Sequence, residues 1–121
     1  MMKAVVFLWM SLLAVAVPLN GAERLVMRVS PSIAMAPAWV TVLTTVESDT
    51  ENRALEVIFE SPDFYRSSTI QLDGQHAPRV NLFTFPNLPV GQYEVTAIVS
   101  ASSGRRSTAR SWLVVSGRSP R

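Results

Sequence analysis

Cysteine is absent from all 121 residues. That excludes a disulfide framework, a thiol nucleophile, a thiolate metal site and lipid attachment at cysteine. Lysine occurs once, as Lys3, and histidine once, as His76. A Ser–His–Asp relay therefore has one candidate base and no spare. The formal net charge is only +2. Beyond residue 22, ten arginines face nine acids, a net charge of +1. This is not the concentrated basic stripe of a nucleic-acid binder, so nucleic acid is not expected as a partner.

What the chain does have is apolar residues, 48% of the total. Part of that share sits at the start. Met1-Met2-Lys3 is a short positive opening, and Ala4 to Val17 is an uncharged run, followed by Pro18, Asn20, Gly21 and Ala22. Positive start, apolar run, helix breaker and small residues read as a secretory signal peptide over residues 1–22, cleaved after Ala22. The run is shorter than the ~20 apolar residues a spanning helix needs. The expectation is export to a periplasm or the exterior. An uncleaved anchor is the alternative, and it is the one way the chain would meet a membrane.

The remainder has the length of one domain. Short apolar alternations recur with turn signals between them. Leu25, Met27 and Val29 begin the series, and Pro31 and Pro37 bracket a break, as where an edge strand stops or changes sheet. Val40, Val42 and Val46 alternate with Thr41 and Thr45, and Leu55, Val57 and Phe59 with Glu56, Ile58 and Glu60. A weak strand, Thr69 to Leu72, ends at Asp73-Gly74. Val80 to Phe85 is followed by a Pro86–Gly91 corner. Tyr93, Val95, Ala97 and Val99 lead to the turn Ser102-Ser103-Gly104 and a last strand through Leu113 and Val115. Seven short strands without sustained helical periodicity predict an all-β sandwich over residues 23–116, with a flexible basic tail at 117–121.

The stretch Phe83-x-Phe85-x-x-Leu88-Pro89-x-Gly91-x-Tyr93-x-Val95-x-Ala97 resembles the corner before the sixth strand of immunoglobulin-like and fibronectin type III domains. The resemblance implies a seven-stranded antiparallel immunoglobulin-like sandwich. In it Tyr93 hydrogen-bonds back across the corner, with Leu88 beneath it and Gly91 in the turn. The lack of a cysteine pair, and of a tryptophan between Arg53 and Glu60, brings the chain nearer the bacterial, cysteine-free variants. The same stretch is similar to adhesin stalk domains that form Lys–Asn crosslinks, but a chain whose only lysine is Lys3 has no such chemistry after signal removal. The motif speaks for fold and hardly for function.

No catalytic residue, metal site or cofactor is assigned. His76 lies in the turn Asp73-Gly74-Gln75-His76 without a nucleophile motif, so a hydrolase is the least favoured class. Glu47, Asp49 and Glu51 alternate in one loop but lack the glycine and closing glutamate of a calcium loop, and read as a solvated acidic loop. Arg105, Arg106 and Arg110 cluster on the last hairpin. Arginine grips carboxylate or phosphate bidentately, although charged hairpins also discourage edge pairing. If Arg106 starts the strand, it shares a face with Arg110. Phe64 and Tyr65 sit in the segment Ser61–Ser68, read as a loop, where aromatics anchor partners or stack on sugars. Trp112 with Val114 would make an apolar outer stripe. The expected function is a non-catalytic exported module that recognises a protein or envelope component through the loops Ser61–Ser68 and Ala101–Arg106. A saccharide-binding accessory protein is the alternative.

Overall fold

The computed structural model describes residues 24–117. The proposed signal peptide and most of the basic tail lie outside them. Eight strands occur among the described residues: β1 (Leu25–Ser30), β2 (Ile33–Met35), β3 (Ala38–Val46), β4 (Asn52–Ser61), β5 (Phe64–Gln71), β6 (Val80–Leu88), β7 (Gly91–Ala101) and β8 (Arg106–Ser116). A single 3-10 turn, Gly74–His76, separates β5 from β6. The strands form a three-stranded sheet, β1-β3-β6, and a five-stranded sheet, β2-β8-β7-β4-β5.

The expectation of an all-β, two-layer architecture holds. The strand count does not, because β2 makes eight. It is three residues long, closed in by Pro31 and Pro37, and too short to show a period of two. It also breaks the all-antiparallel expectation, since Ile33, Ala34 and Met35 run parallel to Val114, Val115 and Ser116. The break at the two prolines, both preceded by cis peptide bonds, is where the chain leaves the small sheet and enters the large one.

Alternation decides the core. In β4, Leu55, Val57 and Phe59 are sealed between the sheets, and in β7 so are Tyr93, Val95 and Ala97. From the small sheet, Val40, Val42 and Phe85 meet them. The Phe59 and Phe85 rings approach to 4.3 Å across the sandwich. Each such side chain contributes about 1.5–3 kcal/mol by leaving water. Two polar residues share this interior and are satisfied there. Thr44 donates its hydroxyl to the Asn81 carbonyl at 3.1 Å, and Asn52 donates its amide to the Glu47 carbonyl at 3.0 Å.

Candidate anion-binding cleft

The β7–β8 hairpin turns through Ser102-Ser103-Gly104, as its composition predicts, with Gly104 at φ +95°. Ala101 donates to the Arg105 carbonyl at 2.9 Å and Gly104 to the Ala101 carbonyl at 2.9 Å. β8 then begins at Arg106, paired with Ser100. Arg106 and Arg110 therefore do share the outer face of the sheet, with Thr108 between them and Trp112 and Val114 beyond. The inward row is Ser107, Ala109, Ser111, Leu113 and Val115, of which only the last two are buried. The first half of the strand thus covers its layer with small side chains that stay half-exposed.

That half of β8 also lacks a neighbour on one side. β7 pairs along its whole length, whereas β2 covers only Val114–Ser116. β1 lies alongside in the other sheet, paired to β3. Between β1 and the uncovered part of β8 runs a cleft of about 500 Å³, lined by Arg24, Leu25, Met27, Ser107, Ala109 and Arg110 among others. Its exposed lining is mainly polar, with Arg24 and Arg110 beside Leu25, Met27 and Ala109. Arg28 and Arg106 are exposed on the same two strands and form no ion pair among the described residues.

The cleft arginines are held loosely. Arg110 Nε lies 3.4 Å from Glu94. Arg24 lies 3.5 Å from Asp49 and 3.7 Å from Glu47. Apart from Asp49, which is mostly covered, these side chains are substantially exposed, a setting in which an ion pair contributes about 1 kcal/mol or less, so an incoming carboxylate can take over either guanidinium. Arg105 is placed differently. It lies 3.1 Å from Asp49, on the acidic loop rather than in the cleft, and ties the hairpin to that loop.

Asp49 organises this end of the sandwich. Its carboxylate accepts the Glu51 N–H at 2.8 Å. That bond, then Arg105 and Arg24, hold its pKa below the usual 3.8 against the opposing effect of burial. Glu47 and Asp49 are therefore engaged with arginines, and Glu51 keeps one carboxylate oxygen out of solvent with no partner among the described residues. Among the described residues no three His, Cys, Asp or Glu side chains are grouped to hold a metal ion. His76 closes the 3-10 turn, its N–H donating to the Asp73 carbonyl at 2.9 Å, beside a shallow depression that includes Thr50, Arg53 and Asp73.

The segment Ser61–Ser68, expected to be a loop, is not one. Pro62 and Asp63 alone make the turn, and Phe64 already pairs with Ser61 in the β4–β5 ladder. Phe64 points inward, edge-on to Tyr93 at 5.5 Å. Arg66 covers it at 5.0 Å and donates to the Pro86 carbonyl at 2.7 Å. Phe64 thus closes the open side of the core, and only Tyr65 faces solvent. At the corner, Gly91 is already the first residue of β7, paired with Val115. Leu88 is fully buried and Tyr93 donates its hydroxyl to the Pro89 carbonyl at 2.6 Å. Trp112 faces out and Leu113 in; Ile33, beside Val114, extends the apolar stripe.

No protein-family model matches the chain, and no curated protein is similar to it in sequence. Solved structures share its fold. A superoxide reductase (neelaredoxin) from Ignicoccus hospitalis superposes with a TM-score of 0.63 at 16% identity, over 77% of this chain and 80% of that one. A variant superoxide reductase (neelaredoxin) from Archaeoglobus fulgidus, in the reduced form, gives 0.55 at 14%, over 76% and 88%. CopC from Methylosinus trichosporium OB3b gives 0.50 at 22%, over 79% and 95%. These likenesses establish a class, the small all-β sandwich. At such identities they carry the fold alone.

They also overturn the expected function. The expectation of a non-catalytic module rests on the lack of a catalytic constellation in the sequence, yet the scaffold is shared with superoxide reductases, which are enzymes. Of the two loops assigned to recognition, one is the strand β5 and the other has Arg105 bound to Asp49. Sequence reasoning missed Arg24, Ser107 and Thr108 as neighbours. No local signal marks them, because they come together only through the crossing of the first and last strands.

Proposed function

We propose that this protein binds an anionic, carboxylate-bearing partner in the cleft between β1 and β8. The observation that carries the reading is that Arg24, just before β1, and Arg110, on β8, line one cleft together with Leu25, Met27 and Ala109, while Arg106 stands exposed on the same face of β8 as Arg110. Guanidinium forks match carboxylate oxygens two by two. Exported placement belongs to the same proposal and rests on the sequence of residues 1–22. Among the described residues no helix is long and apolar enough to cross a membrane. The domain is read as immunoglobulin-like and cysteine-free, supported by its strand order and by the Tyr93–Pro89 bond.

The test is a titration of the full chain with fluorescein-labelled hexaglutamate, followed by anisotropy at low and high salt. Binding that weakens with salt, and at least tenfold in Arg106→Gln/Arg110→Gln but not in Arg79→Gln, is the expected result. Equal affinity in all three proteins would remove the cleft from consideration. For export, expression with a bacterial secretion pathway should yield a protein whose mass begins at Glu23.

A further inference from the structure

The cleft has a geometry beyond its charge. A strand's backbone groups alternate between its two edges. Ala101 bonds to Arg105, so Val99, Ala97 and Val95 face β8 and pair with Ser107, Ala109 and Ser111. The N–H and C=O groups of Arg106, Thr108, Arg110 and Trp112 must then point the other way. Val114, next in that series, confirms the direction, since its N–H donates to the Ser32 carbonyl at 3.0 Å. β2 thus occupies a lane beside β8 that is filled over Val114–Ser116 and vacant over Arg106–Trp112.

We infer that this vacant lane accepts an extended acidic peptide as an added strand. The inference rests on the anion-binding reading and names its ligand. An edge with unpaired backbone groups is a template for strand addition, in which main-chain bonds supply affinity and alternate side chains supply specificity. The vacant stretch, seven residues from Arg106 to Trp112, is about 23 Å long at ~3.3 Å per residue. Side chains directly across a ladder share a face. One row of the peptide therefore lies over Arg106, Thr108 and Arg110 and is acidic. The other points between the sheets, where Ser107 and Ala109 line the cleft together with Leu25 and Met27, and is apolar and of modest size. Net charge favours this occupant over a second copy, because the arginines of two identical edges would face each other.

The probe is an end-capped heptapeptide alternating aspartate and valine, titrated into the full chain. A second version is N-methylated at alternate amides on the pairing edge, which keeps every charge and removes the strand bonds. The first peptide binds and the second is at least tenfold weaker if the lane is used. Thr108→Pro deletes an edge-facing N–H without touching the β7 ladder and produces a similar loss, with circular dichroism reporting that the fold persists. The N-methyl comparison holds even if that variant misfolds. Equal binding of the two peptides overturns strand addition while leaving the anion site, which hexaglutamate reports independently. Failure of hexaglutamate and of both peptides removes both readings. Dimerisation of the chain in competition with the peptide assigns the lane to a second copy and overturns the proposal.

Discussion

The Tyr93 hydroxyl donates to the Pro89 carbonyl at 2.6 Å, and Tyr93 is the largest side chain sealed in the core. The bond spans four residues, yet it fixes the chain reversal between β6 and β7 and so the approach of the two sheets. Its ring is wedged between Phe59 at 6.3 Å and Phe64 at 5.5 Å. Polar tip and apolar body are both used.

Tyr93→Phe keeps the ring and removes the donor. The expected cost is about 1–2 kcal/mol, the value of a part-buried hydrogen bond and its orphaned acceptor. A pH dependence goes with it. Burial raises the Tyr93 pKa above 10.0, with Arg66 opposing. The folded chain then holds a proton that the unfolded chain releases, so this contribution is complete below pH 10.0 and is lost as pH rises through the folded value. Urea midpoints measured from about pH 8 to 11 should fall on the alkaline side for the native chain and fall less for Tyr93→Phe. Parallel curves would sever the link.

Asp49 acts on the opposite limb. Its pKa lies below 3.8, chiefly through the Glu51 N–H and then through Arg105 and Arg24. The stabilisation is present above 3.8 and disappears as pH falls through the lower folded value. Asp49→Asn should flatten the acid limb of a melting-temperature profile, and added salt should shift the native profile only slightly, because the backbone bond dominates. A profile unchanged by the substitution would mean that Asp49 holds nothing.

Gly74 and Gly104 separate two effects of a missing side chain. Both have positive φ, +54° and +95°, but a Cβ on Gly74 would stand 2.8 Å from the Thr50 carbonyl oxygen, while Gly104 faces open space. Gly104→Ala meets only the backbone penalty, about 1–2 kcal/mol. Gly74→Ala adds a clash with backbone and should cost clearly more. Denaturation of the two variants side by side tests the order, and an equal loss would show that the 3-10 turn yields freely.

The core was legible in the sequence because its signal is a period of two repeated over long strands. Leu55-Val57-Phe59 and Tyr93-Val95-Ala97 could face only one way. The Tyr93 corner was legible because its partners are adjacent in the chain. β5 was half hidden. Its middle, Arg66-Ser67-Ser68, reads as a polar loop, and only the ladder to β4 and the bond from Arg66 to Pro86 reveal it as an edge strand. The cleft was not legible at all. Arg24 and Arg110 are 86 positions apart, and the vacancy beside β8 follows from where β2 begins, just after Pro31, rather than from any residue in the cleft.

The pairing of Glu94 with Arg110 gives the cleft a built-in competitor. Glu94 sits opposite Trp112 on β7 and reaches Arg110 at 3.4 Å on the outer face. A ligand carboxylate that engages Arg110 must displace it, giving up the Coulomb energy of an exposed pair, about 1 kcal/mol at most. Glu94→Gln removes both that loss and a negative charge near the site while leaving β7 and its inward core residues alone. The affinity for hexaglutamate should therefore rise, by up to about fivefold at low salt, and the gain should shrink as salt screens both charges. Glu60→Gln, on the neighbouring strand β4 and directly across from Glu94, serves as the control for general charge and should move affinity much less. If the two variants strengthen binding equally, the arginines act only as a diffuse field. If Glu94→Gln weakens binding, Glu94 is orienting Arg110 for its ligand rather than occupying it.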